Sequence, residues 1–170
     1  NEIRKNVPMV YYHVWDNYPL PMYNKKFYDS NDVIASISKL THDVVKEVSP
    51  EVESYYIPHA VNPDHFGRKT DKEISELKEQ FFGKDDKRVT FFWNNRNARR
   101  KQSGSVLWWF NEFAEEVGPE NVRLIMHTEP RDKHGQNLFK IIKDLDIEDG
   151  RIQLSTNKMP PEALASIYNA

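Results

Sequence analysis

The chain contains no cysteine. Disulfides, thiolate zinc sites and cysteine nucleophiles are therefore excluded, and a reducing compartment suits it, so a cytoplasmic location is expected. Glycine is scarce, 6 in 170 residues. None completes a GxxxxGKS/T, GxGxxG or GxSxG pattern, which removes the signatures of P-loop nucleotide hydrolases, ordinary dinucleotide binders and serine hydrolases. No HExxH or HxH spacing occurs, and no metal site is expected. No apolar run approaches the ~20 residues of a membrane span. The charge is nearly balanced: 24 basic against 26 acidic residues give a net −2. Bulk electrostatics thus offer no hold on nucleic acid or an anionic membrane, and any electrostatic function must come from a local cluster.

What is present is aromatic and periodic. Phe, Tyr and Trp make up 12 % of the residues. Short β-rich runs at 7–14, 32–36, 54–57, 88–93, 121–127 and 151–154 alternate with helical spacings that start at Ser38, Thr70, Gln102, Gln136 and Pro161. Thr70 and Glu73 stand three apart, as in a capping box, and Pro161 suits a first helical turn. Repeated β-α units argue an α/β fold with parallel strands and right-handed crossovers. The stretch 58–68 holds two prolines and no period, so the division falls there: 1–65 and 66–170, about three strands on each side. The chain opens without Met and its last helix runs out at Ala170, which reads as the central piece of a larger protein.

The richest segment is Val89-Thr90-Phe91-Phe92-Trp93-Asn94-Asn95-Arg96-Asn97-Ala98-Arg99-Arg100-Lys101. A buried strand stops in a basic loop, and a helix follows with Val106, Trp109, Phe110, Phe113 and Val117 expected inward. Ligands of open α/β sheets bind at the carboxyl ends of strands, and a helix N-terminus there offers free N–H groups to an anion. Arg96 and Lys101 are candidates to neutralise a diphosphate, Arg as a planar fork and Lys as a point charge; Arg99 and Arg100 are expected to face solvent. A solvated basic turn fits the same spacing. The neighbouring strand ends and loops add Asn95, His127, Thr128 and Thr156 as candidate ligand contacts, although each also fits the polar start of a loop. After the first strand, His13 beside Trp15 and Asp16 suggests acid–base work in an aromatic loop able to stack on a sugar. A loop packed by its own rings is the plainer alternative.

Together these stretches resemble the GT-B glycosyltransferases of the family 4 (group 1) type, and the likeness runs over nearly the whole chain. Asp32 to Ser38 resembles the family's D-x-I-x-x-x-S strand–helix start. Tyr56 to Phe66 is similar to its interdomain IPNGVDxxxF, with His59-Ala60 in place of Asn-Gly. Asn95 to Lys101 resembles GRxxxxKG, with Asn95 and Gln102 replacing the two glycines. Glu162 to Tyr168 resembles the E-x-L-x-x-x-Y helix. The resemblance implies a Rossmann-like GT-B architecture: the end of an acceptor-side N-terminal domain over 1–65, and the first part of a donor-side C-terminal domain over 66–170. It implies transfer of a sugar from a nucleotide-diphosphate sugar to a glycan, lipid or small-molecule acceptor, with no cofactor. Arg96 and Lys101 would hold the diphosphate, His13 would be the catalytic candidate, and Trp15 with Asp16 would border the acceptor. Nucleic acid is not an expected partner; peripheral membrane contact by the full-length enzyme is. The family's E-x7-E segment is absent from these residues, which implies a chain inactive alone. Two other readings stay open: a nucleic-acid module using Arg96–Lys101 with Trp93 and Trp108 for stacking, weakened by net charge and by the expected burial of both Trp, and a structural α/β domain.

Overall fold

The computed structural model describes residues 5–15 and 17–170. The chain splits into two compact units, Asn1–Asn62 and Pro63–Ala170, and each carries its own three-stranded parallel sheet.

In the first unit, β1 (Val10–His13), β2 (Val33–Ser36) and β3 (Glu53–Tyr56) lie in sequence order. The register pairs Tyr11 with Ile34 and His13 with Ser36. β1 is shorter than the 7–14 run suggests. A short helix α1 (Lys25–Tyr28) follows β1; at one turn it is too brief to leave a period in the sequence. Helix α2 (Lys39–Val48) starts where Ser38 Oγ accepts the Thr41 N–H at 3.0 Å, satisfying one of the donors a helix start leaves over. Its period turns Val44, Val45 and Val48 onto Tyr28, Ile34 and Val52. Asp32 Oδ2 accepts the Met9 N–H at 2.7 Å just ahead of β1. Both polar ends of the Asp32–Ser38 stretch therefore have structural work.

The second unit runs α3 (Pro63–Phe66), α4 (Asp71–Phe82), β4 (Val89–Asn94), α5 (Ser103–Val117), β5 (Val122–His127), α6 (Leu138–Asp144), β6 (Ile152–Ser155) and α7 (Pro161–Asn169). Its strands order as β4-β5-β6. The capping box at α4 is formed: Glu73 Oε2 takes the Thr70 N–H at 2.9 Å and Thr70 Oγ1 takes the Glu73 N–H. β5 sits in the middle, buried on both faces, so Arg123 and Ile125 are enclosed as well as Val122, Leu124 and Met126. Arg123 is 2 % exposed, bonds to Asp86 at 3.0 Å, and lies with Cζ 3.9 Å over the Phe82 ring. Asp86 also binds Arg88, so one carboxylate pairs with two guanidinium groups.

The inward face of α5 differs from the expectation. The buried stripe is Ser103, Gly104, Leu107, Phe110 and Ala114. Trp109 is 69 % exposed, and Trp108, Phe113 and Val117 are exposed too. The helix is apolar round much of its circumference, and the stripe rich in small residues wins because it lets the helix lie close against β5. The large rings are left at the rim. Phe91, Trp93, Val106, Trp109 and Phe113 border an apolar groove of about 480 Å³ between β4 and α5. Trp93 is only half-buried, so the expected burial of Trp93 and Trp108 does not hold.

Candidate functional site

All three strands of the second unit end at one polar edge. The register aligns Asn94, His127 and Ser155 across it. His127 Nδ1 is 2.9 Å from Ser155 Oγ, and Asn94 Nδ2 donates to Tyr168 Oη at 3.2 Å. Thr128 is buried, with its N–H on Ser155 O. Its hydroxyl has no hydrogen-bond partner among the described residues.

The basic loop is held at this edge by a second loop, residues 128–137, through a network centred on Asn97. Asn97 is fully buried. Its Nδ2 donates to Glu129 O and to Gln136 O (3.2 and 2.6 Å), and its Oδ1 accepts from Ser103 Oγ and the Gln136 N–H (2.5 and 3.2 Å). Every hydrogen-bonding site of the amide is used, so the side chain is a rigid pin. Gln136 Oε1 in turn takes the Gly104 N–H at 2.7 Å, capping the first turn of α5. The two loops touch so closely that a Cβ on Gly135 would stand 1.9 Å from Asn97 O. Gln102, between loop and helix, has φ 56° and ψ 34°, the left-handed conformation a glycine would supply more easily.

The clasp sets the charges. Arg96 is 63 % exposed while Asp132, its partner, is 12 % exposed. Arg96 Nε donates to Asp132 Oδ2 at 2.7 Å and Nη2 to Oδ1 at 3.3 Å. Asp132 is fixed further by the His134 N–H at 2.9 Å. The Arg96 hydrogen bonds and the His134 N–H hold its carboxyl at about 2, well below the usual carboxylate range. The guanidinium is thus anchored on one side by a carboxylate, and among the described residues its remaining N–H groups bind nothing else and suit a second anion. Lys101 is half-buried and ends a 3-10 turn, Arg99–Lys101; Arg99 and Arg100 are exposed. Asn95 and Thr156 are exposed beside this edge. Asn97, Asp132 and Gln136 carry no sequence signal of a site, because their roles depend on a contact between loops 36 to 39 residues apart. The only hint was their polarity beside a strand end.

In the first unit, the carboxyl edge holds His13 and Ser36. His13 is 3 % exposed, and its Nε2 lies 2.8 Å from Tyr28 Oη. Burial lowers the His13 pKa from its ordinary 6.5, so the ring is neutral at pH 7. Trp15 stacks over it with ring centroids 6.3 Å apart, and the Trp15 carbonyl accepts from Thr41 Oγ1 at 2.6 Å. Asp16 lies outside the described residues. Only Nδ1 of His13 is left for chemistry.

Two landmarks read from the sequence act as ties within the second unit. Glu162 pairs with His65 at 2.8 Å, and Tyr168 packs edge-on against Phe66 and Phe92. Among the described residues no group of three or more His, Asp or Glu could hold a metal ion. The triplet Asp144-Leu145-Asp146 closes α6, with Asp144 bound to Lys140 at 2.6 Å. No described helix is long and apolar enough to cross a membrane.

No protein-family model and no curated protein matches the chain. Solved structures do. HepE of Anabaena, in complex with UDP and glucose, matches at 13 % identity and a TM-score of 0.62, over 94 % of this chain and 44 % of that one. A UDP-forming α,α-trehalose-phosphate synthase from Burkholderia xenovorans matches at 12 % and 0.65, over 99 % and 47 %. The α,α-trehalose 6-phosphate synthase from Burkholderia multivorans matches at 14 % and 0.65, over 98 % and 45 %. The fold is thus that of GT-B glycosyltransferases, and the chain spans less than half the length of the structures it matches.

Proposed function

We propose that the chain is part of a glycosyltransferase, of the family 4 type that its motifs resemble, and that its second unit binds the diphosphate of a nucleotide sugar. The observation that carries this is Arg96. It is held by Asp132 at the carboxyl edge of the sheet, with donors to spare, in a fold shared with structures that hold UDP and UDP-glucose. Arg96 and Lys101 would take the diphosphate and stabilise the charge that develops on the leaving nucleotide, the kind of stabilisation that contributes most when donors are already in place. Thr128, whose buried hydroxyl lacks a partner, would bond the ligand, with His127, Asn95 and Thr156 bordering it. His13 and Trp15, with Asp16, would serve the acceptor side in the first unit. This reading expects a cytoplasmic enzyme without cofactor that acts on a glycan, lipid or small-molecule acceptor, with peripheral membrane contact in its full-length form.

Calorimetry with UDP, GDP and their sugars tests it. One diphosphate binds the wild type, and Arg96→Ala and Lys101→Ala each weaken it at least about tenfold, the loss of a charge-assisted hydrogen bond. Unchanged binding in both variants sinks the assignment. For the nucleic-acid alternative, Trp108 is exposed and Trp93 half-buried, so burial no longer weighs against it and the net charge of −2 does.

A further inference from the structure

The carboxylate that Arg88 and Arg123 share leaves a charge imbalance at the amino end of the second sheet. Arg123 is the register partner of Thr90 near the start of β5. It is 2 % exposed, and Asp86 Oδ1 accepts from its Nη2 at 3.0 Å. Arg88 donates to the same carboxylate through Nε and Nη2, and its Nη1 makes no hydrogen bond among the described residues. Beside these groups lies a cavity of about 370 Å³, bordered by Lys78, Phe82, Asp86, Lys87, Arg88 and Thr90, with Val89 and Ala170. Arg123 stands behind its wall, against Phe82, Asp86 and Thr90. Neither lysine has an ion-pair or hydrogen-bond partner among the described residues. Lys78 finds none within α4, because the residues three and four positions away are Ile74, Ser75, Phe81 and Phe82, whereas Lys72 reaches Glu76. Four cations, Lys78, Lys87, Arg88 and Arg123, thus stand against two carboxylates, those of Asp86 and of the chain end at Ala170. Asp149 also acts on Arg88 but is itself bonded to Arg151. Two positive charges are left over.

We propose that this cavity binds a small phosphate monoester, with Lys78, Lys87 and Arg88 on the phosphate and Phe82 with Val89 beside the organic part. Fully ionised, such an ester carries two negative charges, which matches the surplus. Its terminal oxygens accept from the Arg88 fork and from the two lysine point charges. A carboxylate or a phosphodiester brings one charge and leaves the other cation unpaired. The cavity volume falls in the range of small-molecule pockets, so there is room for an organic part beyond the phosphate. The cavity lies at the opposite end of the strands from Arg96: the six residues of β4 separate the two by roughly 20 Å. It therefore takes its own ligand and does not depend on the sugar-transfer reading.

The test follows the backbone amides of residues 86–90 in ¹H–¹⁵N spectra at about pH 8, where the ester is a dianion. Glycerol 3-phosphate, inorganic phosphate and sodium chloride are titrated at matched ionic strength into wild type, a Lys78→Ala/Lys87→Ala double variant and Arg96→Ala. Both lysines are exposed, so the double variant keeps the fold. Glycerol 3-phosphate moves these amides saturably and binds more tightly than inorganic phosphate. The double variant weakens that binding about tenfold, the loss of charge-assisted hydrogen bonds, and Arg96→Ala leaves it as in wild type. Equal shifts with chloride, no saturation, inorganic phosphate bound as tightly as the ester, an undiminished response in the double variant, or its loss in Arg96→Ala overturns the proposal. A saturable response here in a chain that binds no UDP supports this site and removes the donor-site reading alone.

Discussion

At the residue scale, the decisive groups are those whose charge is set by close partners. Asp86 is nearly enclosed and pairs with both Arg88 and Arg123, which hold its carboxyl down at about 2, the Arg88 hydrogen bonds contributing most. Replacing Asp86 with Ala leaves the Arg123 guanidinium buried and unpaired, which costs about 3–5 kcal/mol. Chemical denaturation of Asp86→Ala should show a loss of that size, and a loss below about 1 kcal/mol would mean that the Phe82 ring and Thr90 Oγ1 suffice for Arg123. Arg96 shows the opposite balance. Its anchor is firm but its guanidinium is largely in water, so its pair with Asp132 contributes little to stability and its value lies in orientation. Arg96, Lys101 and His13 could be singled out in the sequence from residue type and place. Asp132, Asn97 and Ser36 could not, because each takes its role from a partner on another segment.

Elements follow local rules where the rules are strong. Thr70 with Glu73, Ser38 with Thr41 and Gly118 after α5 end or begin helices where their chemistry predicts. The choice of face is less local. α5 presents Leu107, Phe110 and Ala114 to the sheet and leaves Trp109 outside, although both stripes are apolar. Leu107→Ala therefore costs about 2–5 kcal/mol, the range for a buried leucine, while Trp109→Ala stays within about 1 kcal/mol because the ring is already in water. Matched urea curves for the two variants check this; equal losses would put Trp109 inside. Helical spacing could place a helix over 103–117, but period alone cannot choose between two apolar stripes. Close packing against β5 makes that choice.

At the scale of the whole molecule, two units with separate cores titrate in separate windows. In the first, burial lowers the His13 pKa below 6.5. The unfolded chain then binds a proton that the folded one refuses, so stability present above pH 6.5 falls as the pH drops below it. In the second, Asp86 stays ionised to about 2 when folded but takes its proton near 3.8 when unfolded; the stability it supplies above 3.8 is lost as the pH falls toward 2. Amide hydrogen exchange, corrected for its intrinsic pH dependence, should show β1 and β2 losing protection between pH 7 and 5 while β5 holds until about pH 4. A simultaneous loss in both sheets would contradict separate titration.

The order of strands and helices, the break near residue 62 and the basic turn after β4 were decided locally, by β-branched runs, caps and proline, and these act within a few residues along the chain. The clasp was decided only in three dimensions. Asn97, Gln136 and Asp132 carry no signal of their own, and a buried amide or a paired carboxylate acquires its energy from groups that folding brings to it. The same holds for Ser36: its hydroxyl looks like any strand-end serine until β1 lays His13 alongside it, and its Oγ and His13 Nδ1 stay without a hydrogen-bond partner among the described residues.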